Sequence, residues 1–217
     1  MKLYHGTAAK NLATIRKHGI KPRGKAKGNW GDTVPSNARG VYLTNAYALY
    51  YAQCAVRGGG GDIIILEIDT DRLAPKFAPD EDAVEQALRG KDGVEGSMKE
   101  RTLYYRNKLA KLAGPVNGHV LESLKALGNC VYMGTVPCTA ITRYAVIKYA
   151  EVDMSLLWMA LDPSITLLNY QICGAKYRNM VRWVFGEPFE EEPRLLPGFE
   201  FTPPSNRNGI EVKPWQS

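Results

Sequence analysis

Long apolar runs are missing from this 217-residue chain. No stretch approaches the roughly 18 apolar residues of a spanning helix, which excludes a membrane-crossing helix as an organising element and a membrane as a partner. The first residues, Met1 to His5, lack the apolar core of a secretory signal, so the expected location is the cytoplasm. Cysteine is scarce: Cys54, Cys130, Cys138 and Cys173 form no Cys-x-x-Cys pair and have no accompanying histidine cluster. That excludes a disulfide framework or a zinc site and predicts reduced, buried thiols and no metal. No internal repeat is visible. What is present is globular, with 45% hydrophobic and 10% aromatic residues. The length suits one domain, or one domain with an appendage. The charge excess is positive, 28 Lys and Arg against 22 Asp and Glu, a net +6 that mildly favours a polyanionic partner.

Two short stretches organise the rest. Lys2-Leu3-Tyr4-His5-Gly6-Thr7 and Gly40-Val41-Tyr42-Leu43-Thr44 are apolar runs ending in small or polar residues, as in buried strands whose tips open into a cleft. The first leads into a predicted helix over 8–18 stopped by Gly19. The second leads into a helix over 45–56, where Ala48, Tyr51, Ala52 and Ala55 fall at helical spacing. Between them, 21–39 is a long loop rich in Gly, Lys, Asn, Pro and Ser, either a solvated connector or a functional lid.

Further along, 62–73 reads as a buried strand. Asp80 caps a helix running to Leu88, with Glu81 and Asp82 complementing its dipole; a metal site is the weaker reading of these three acids. A basic amphipathic helix over 98–112 packs Leu103, Leu109 and Leu112 and exposes Arg101, Arg106, Lys108 and Lys111. Tyr104 and Tyr105 interleave with those charges. A short helix over 120–127 precedes the last strands, 130–133 and 141–149. In the second, Tyr144 and Val146 share one face, and Arg143, Ala145 and Ile147 the other. Beyond residue 150 a helix begins at Pro163, with Lys176, Arg178 and Arg182 as a basic surface. An acidic, Pro-rich extended tail follows. The expected division is 1–150 as the core domain, 151–186 as a helical appendage and 187–217 as the tail.

The motifs LYHGT, GVYLT and ALYYA, in this order and spacing, resemble the ADP-ribosyltransferase superfamily of the poly(ADP-ribose) polymerase and diphtheria-toxin type. GNCVYMGTVPCTAI is similar to the closing strands of its nucleic-acid-modifying branch, which includes DNA ADP-ribosylating toxins and RNA 2′-phosphotransferases. The resemblance implies an α+β fold with split, mostly antiparallel sheets around an NAD cleft. It also implies NAD as co-substrate. His5 and Gly6 match the first motif, Tyr42 the second and Tyr51 the third. By implication His5 meets a ribose hydroxyl, Gly6 admits the nicotinamide carboxamide, Thr7 adds a hydrogen bond and the two tyrosine rings sandwich the pyridine ring. As a lid, the long loop would lay Trp30 or Pro35 against the dinucleotide, with Lys21, Arg23, Lys25 and Lys27 near its pyrophosphate. Taken singly, His5, Tyr42 and Tyr51 each read more readily as ordinary structure; only the joint pattern reverses that balance.

The resemblance fails at one point. Related enzymes place a glutamate at the head of a late strand, and the corresponding spot here holds Asn129 or Cys130, or, in another alignment, Arg143. Three readings stay open. Asn129 holds the ribose without acting as a base, Glu122 reaches in from the preceding helix, or the chain binds NAD without transfer. The expected function is transfer of one ADP-ribose from NAD to a macromolecule, nucleic acid somewhat before protein. An NAD-dependent RNA 2′-phosphotransferase and a non-catalytic binding module are the alternatives. The sequence leaves open the oligomeric state and whether the role is toxin, defence or counter-defence.

Overall fold

Both apolar runs become strands, and the sheet grows outward from them. A computed structural model of the chain describes residues 1–25, 36–56, 60–161, 170–190 and 200–216. The strands are β1 (Lys2–Ala8), β2 (Gly40–Thr44), β3 (Ile63–Asp69), β4 (Phe77–Pro79), β5 (Asn129–Met133), β6 (Ile141–Ile147) and β7 (Ile210–Pro214). They form one sheet in the order β4-β5-β2-β1-β3-β6-β7, and every pair is antiparallel. The helices are α1 (Leu12–His18), α2 (Ala48–Val56), α3 (Glu81–Leu88), α4 (Met98–Leu109), α5 (Gly118–Leu127), α6 (Met154–Ala160) and α7 (Tyr170–Phe185). The fold is therefore mixed α and β around an open antiparallel sheet. No helix among the described residues is long and apolar enough to cross a membrane.

The sheet parts at its centre. β1 pairs with β3 from Lys2 to Ala8 and β2 pairs with β5 from Gly40 to Thr44, yet β1 and β2 meet only at Tyr4 and Thr44. Antiparallel alternation fixes which backbone groups face the parting. The Ala9 N–H donates to the Asp62 carbonyl (2.8 Å), so odd-numbered residues of β1 bond toward β3 and even-numbered ones turn toward β2. The Asn45 N–H donates to the Gly128 carbonyl (2.9 Å), so odd-numbered residues of β2 bond toward β5 and even-numbered ones turn toward β1. Gly6 and Tyr42 thus face each other across the opening without a ladder bond between them.

Side chains on the two faces build two cores. Tyr4, Ile63, Ile65, Ala145 and Ile147 pack under α2, α6 and α7; Leu3, Ile64, Leu66, Val41 and Tyr144 pack under α1 and α5. The face assignment expected for β6 holds. The region beyond residue 150 is more integral than an appendage and tail. Met180, Val181 and Val184 of α7 are fully buried, Phe185 stacks on Tyr4 (5.6 Å), and β7 extends the sheet beside β6. Each such side chain contributes about 1.5–3 kcal/mol by leaving water. Charge locks the same junction: Glu67, buried in β3, accepts from Arg143 (2.8 Å) and Thr142 (2.6 Å), and Arg143 also pairs with Glu187. Arg143 is thereby committed to holding the C-terminal region.

The basic surface expected on α7 is largely neutralised, whereas in the one expected over 98–112 Arg101 is taken up by acids and Lys108 and Lys111 stay exposed. Arg178 and Arg182 both pair with Glu190 (2.7 and 3.0 Å), and Lys176 is buried. α4 buries Arg101, Thr102 and Tyr105 in place of its leucines, because Arg101 reaches the buried Glu85 (3.3 Å) and Asp92 (3.2 Å); Leu112 stays exposed. None of the four cysteines is in a disulfide; Cys130 and Cys173 are buried, Cys54 and Cys138 half-buried.

Candidate functional site

The parting between β1 and β2 gathers most of the residues singled out from sequence. His5, on β1, spans it: its Nδ1 lies 3.1 Å from the Tyr42 carbonyl. A carbonyl only accepts, so Nδ1 carries the proton and Nε2 is left as an acceptor. Burial pushes the imidazole pKa down against the opposing pull of that bond, favouring the neutral ring. His5, Tyr42 and Tyr51 are each half-buried and keep partial solvent contact.

Tyr42 is held at both sides of its hydroxyl, which accepts from the Asn37 N–H (2.6 Å) and donates to Glu81 Oε1. Asn37 ends the long loop, and Arg23 clasps the loop's two ends: its Nε reaches Ser36 Oγ (2.9 Å), and Gly24 N–H donates to Ala38 (3.0 Å). Arg23 therefore serves as a clasp in this structure, where a pyrophosphate contact was expected. Trp30, Lys27 and Pro35 lie outside the described residues.

The β2–β5 register opposes Thr44 to Asn129 and Tyr42 to Val131, which puts Asn129 diagonally beside Tyr42 on the α2 face. Tyr51, from α2, completes the group by accepting from Asn129 Nδ2 (2.9 Å). Asn129 is 1% exposed, yet its Oδ1 has no partner. A buried amide oxygen without a donor is costly, and a ligand hydroxyl would satisfy it.

Gly6 sits at this parting for a reason beyond the one expected. A Cβ there would fall 1.8 Å from the Ala48 carbonyl oxygen, so the missing side chain is what lets α2 lie on β1. Its backbone still faces the opening. Thr7 points to the opposite face, where its hydroxyl accepts from Asn11 Nδ2 (2.9 Å), tying β1 to the start of α1. Glu122 is not brought in: its side chain is 74% exposed on α5 and pairs loosely with Lys125 (3.9 Å).

What the sequence reading missed is acidic. Asp80 caps α3 as expected, accepting from the Asp82 N–H (2.9 Å), but it is also buried. β4 pairs with β5 at Pro79 and Cys130, which carries Asp80 and Glu81 to the same end of β5 as Asn129. A chain of bonds ties them: the Asp80 N–H donates to Ser123 Oγ and that hydroxyl donates to the Asn129 carbonyl, both at 2.8 Å. Burial, then the charges of Asp82 and Glu81, push the Asp80 carboxyl well above the usual range. Glu81 is raised too, by burial first, with its Tyr42 bond and Arg106 pulling the other way. Only β4, a strand of three residues, could have signalled this convergence, and so short a run has no readable period.

Comparison with known proteins adds little to this geometry. No protein-family model matches the chain, and no curated protein matches it. Among solved structures, one titled EcPltA aligns over 68% of this chain and 76% of its own, at 13% identity and a TM-score of 0.38. A likeness so distant carries no argument about activity.

Proposed function

We propose that the chain is an NAD-dependent mono-ADP-ribosyltransferase, with an ADP-ribosyltransferase-type fold whose cleft is the parting between β1 and β2. The observation that carries this reading is the convergence there of His5, Gly6, Tyr42, Tyr51 and Asn129, which are far apart in sequence. The Gly6 N–H and C=O turn toward the opening, one donor beside one acceptor, the complement of a primary carboxamide such as that of nicotinamide. His5 Nε2 is an acceptor suited to a ribose hydroxyl. Tyr42 and Tyr51 offer aromatic surface for the pyridine ring.

The chemistry is cleavage of a glycosidic bond through an oxocarbenium-like ribose. The nicotinamide leaves as a neutral ring from a cationic one, so no acid is needed to protonate it. The protein's work is to hold NAD, shield the ribose and present the acceptor on the open side. The net charge of +6 favours nucleic acid over protein as that acceptor.

The test is incubation with NAD labelled in its adenosine half, together with separate DNA, RNA and protein pools. Label in a nucleic-acid pool is the expected result. Label in protein alone would keep transfer and replace the acceptor. Free ADP-ribose alone would reduce the activity to hydrolysis, and failure to bind NAD in calorimetry would overturn the reading.

A further inference from the structure

Transfer to an acceptor releases a proton, and nothing so far in the site receives it. The acceptor's attacking O–H or N–H forms a bond to C1′ of the nicotinamide ribose. The C1′–N bond breaks, and its electron pair leaves with nicotinamide and neutralises the ring. One proton remains. Asn129 cannot take it, because an amide has no useful basicity at neutral pH. Glu122 is out of reach on the exposed face of α5.

We propose that Glu81 is the carboxylate of this site and receives the acceptor's proton as the new bond forms to C1′. The inference rests on the NAD reading of the cleft. Four observations support it. Glu81 is 4% exposed, and its Oε1 already accepts from the hydroxyl of Tyr42, a residue lining the parting. It is the first residue of α3, and the register of β4 on β5 brings that helix start to the Asn129 end of β5. The unpartnered Oδ1 of Asn129 marks the same neighbourhood as one built for a ligand. The adjacent carboxyl is already committed, because Asp80 spends its Oδ1 on capping Asp82.

The neighbours also separate the two acids. Burial and two flanking carboxyls keep Asp80 protonated far more readily than an ordinary aspartate. Glu81 is raised by burial and by the charge of Asp82 but is pulled back by its Tyr42 bond and by Arg106, so it is displaced less than Asp80. Paired carboxyls driven apart in this way take different roles.

The test uses the full chain with Glu81→Gln, Glu81→Asp and Tyr42→Phe. It reads thermal melting, NAD affinity, and transfer rate against pH. For Glu81→Gln we expect an intact melt, NAD affinity within about threefold of wild type and transfer slower by about 100-fold, the usual worth of a positioned base. The wild-type rate should rise with pH through one ionisation above the ordinary glutamate range. Glu81→Gln should lose that limb, and Glu81→Asp should recover part of the rate with the limb retained. Tyr42→Phe separates the proton role from mere support of the tyrosine ring, since it should keep the limb. A Glu81→Gln enzyme within threefold of wild-type transfer, or a Tyr42→Phe enzyme copying Glu81→Gln in rate and profile, would refute the base while leaving the NAD cleft standing. Wild-type protein that binds no NAD would remove both.

Discussion

Asp80 concentrates the tension of the site in one side chain. It is buried and must cap α3, and it sits among Glu81 and Asp82 with burial raising its pKa. A carboxyl whose pKa is raised on folding holds its proton more tightly in the folded chain. Below the ordinary aspartate value, 3.8, both states are protonated and nothing is gained or lost; above it, stability falls as pH rises toward the folded value. Asparagine caps a helix equally well and carries no charge. Asp80→Asn should therefore be more stable than wild type near pH 7, by about 1 kcal/mol or more. The gap should close as pH drops below the aspartate range. Melting curves at both pH values check this, and a gap independent of pH would mean that Asp80 acts through something other than its charge.

At the scale of elements, the decisive contact is α2 lying directly on β1. The helix can approach because Gly6 presents no Cβ; the position it would occupy is 1.8 Å from the Ala48 carbonyl oxygen and 2.8 Å from the Ala52 nitrogen. Both are backbone atoms and cannot rotate aside. Gly6→Ala should push α2 off the sheet at a cost of roughly 3 kcal/mol. Because α2 carries Tyr51, the same change should weaken NAD binding. Denaturant titration and calorimetry on the one variant read both effects; lost affinity with unchanged stability would indicate that the methyl group blocks ligand and not helix. Elsewhere the elements meet through charge. α3 and α4 are joined by Glu85 and Arg101, both buried, an arrangement in which removing one partner costs far more than the pair contributes.

Across the whole molecule, the chain returns to its own beginning. Phe185 stacks on Tyr4, Glu187 joins Lys2 and Arg143, and β7 pairs with β6 from Ile210 to Pro214. A chain ending at residue 150 would leave Ile63, Ile65, Ala145 and Ile147 facing water on the side that α6 and α7 cover, and would expose the β6 edge. We expect that truncation to aggregate or to lack a cooperative melt, whereas an independent core of 1–150 would melt sharply and elute as a folded species. Size exclusion and thermal melting distinguish the two.

Sequence alone determined what depends on neighbours along the chain. The period of two in β6, the helical spacing in α2 and the Asp80 cap on α3 are local patterns, and each formed where the pattern placed it. The association of His5, Tyr42, Tyr51 and Asn129 was readable only as a resemblance in order and spacing. Tertiary structure decided the rest. The roles of Gly6 and Arg23 were set by contacts with α2 and Ser36. Arg143 went to Glu67 and Glu187, and β7 gained its identity from the β6 edge. Glu81 reached Tyr42 because a three-residue strand chose β5 as its neighbour. Strand pairing joins residues through backbone groups that are alike in every sequence, so which strands pair is settled by the packing of the whole sheet.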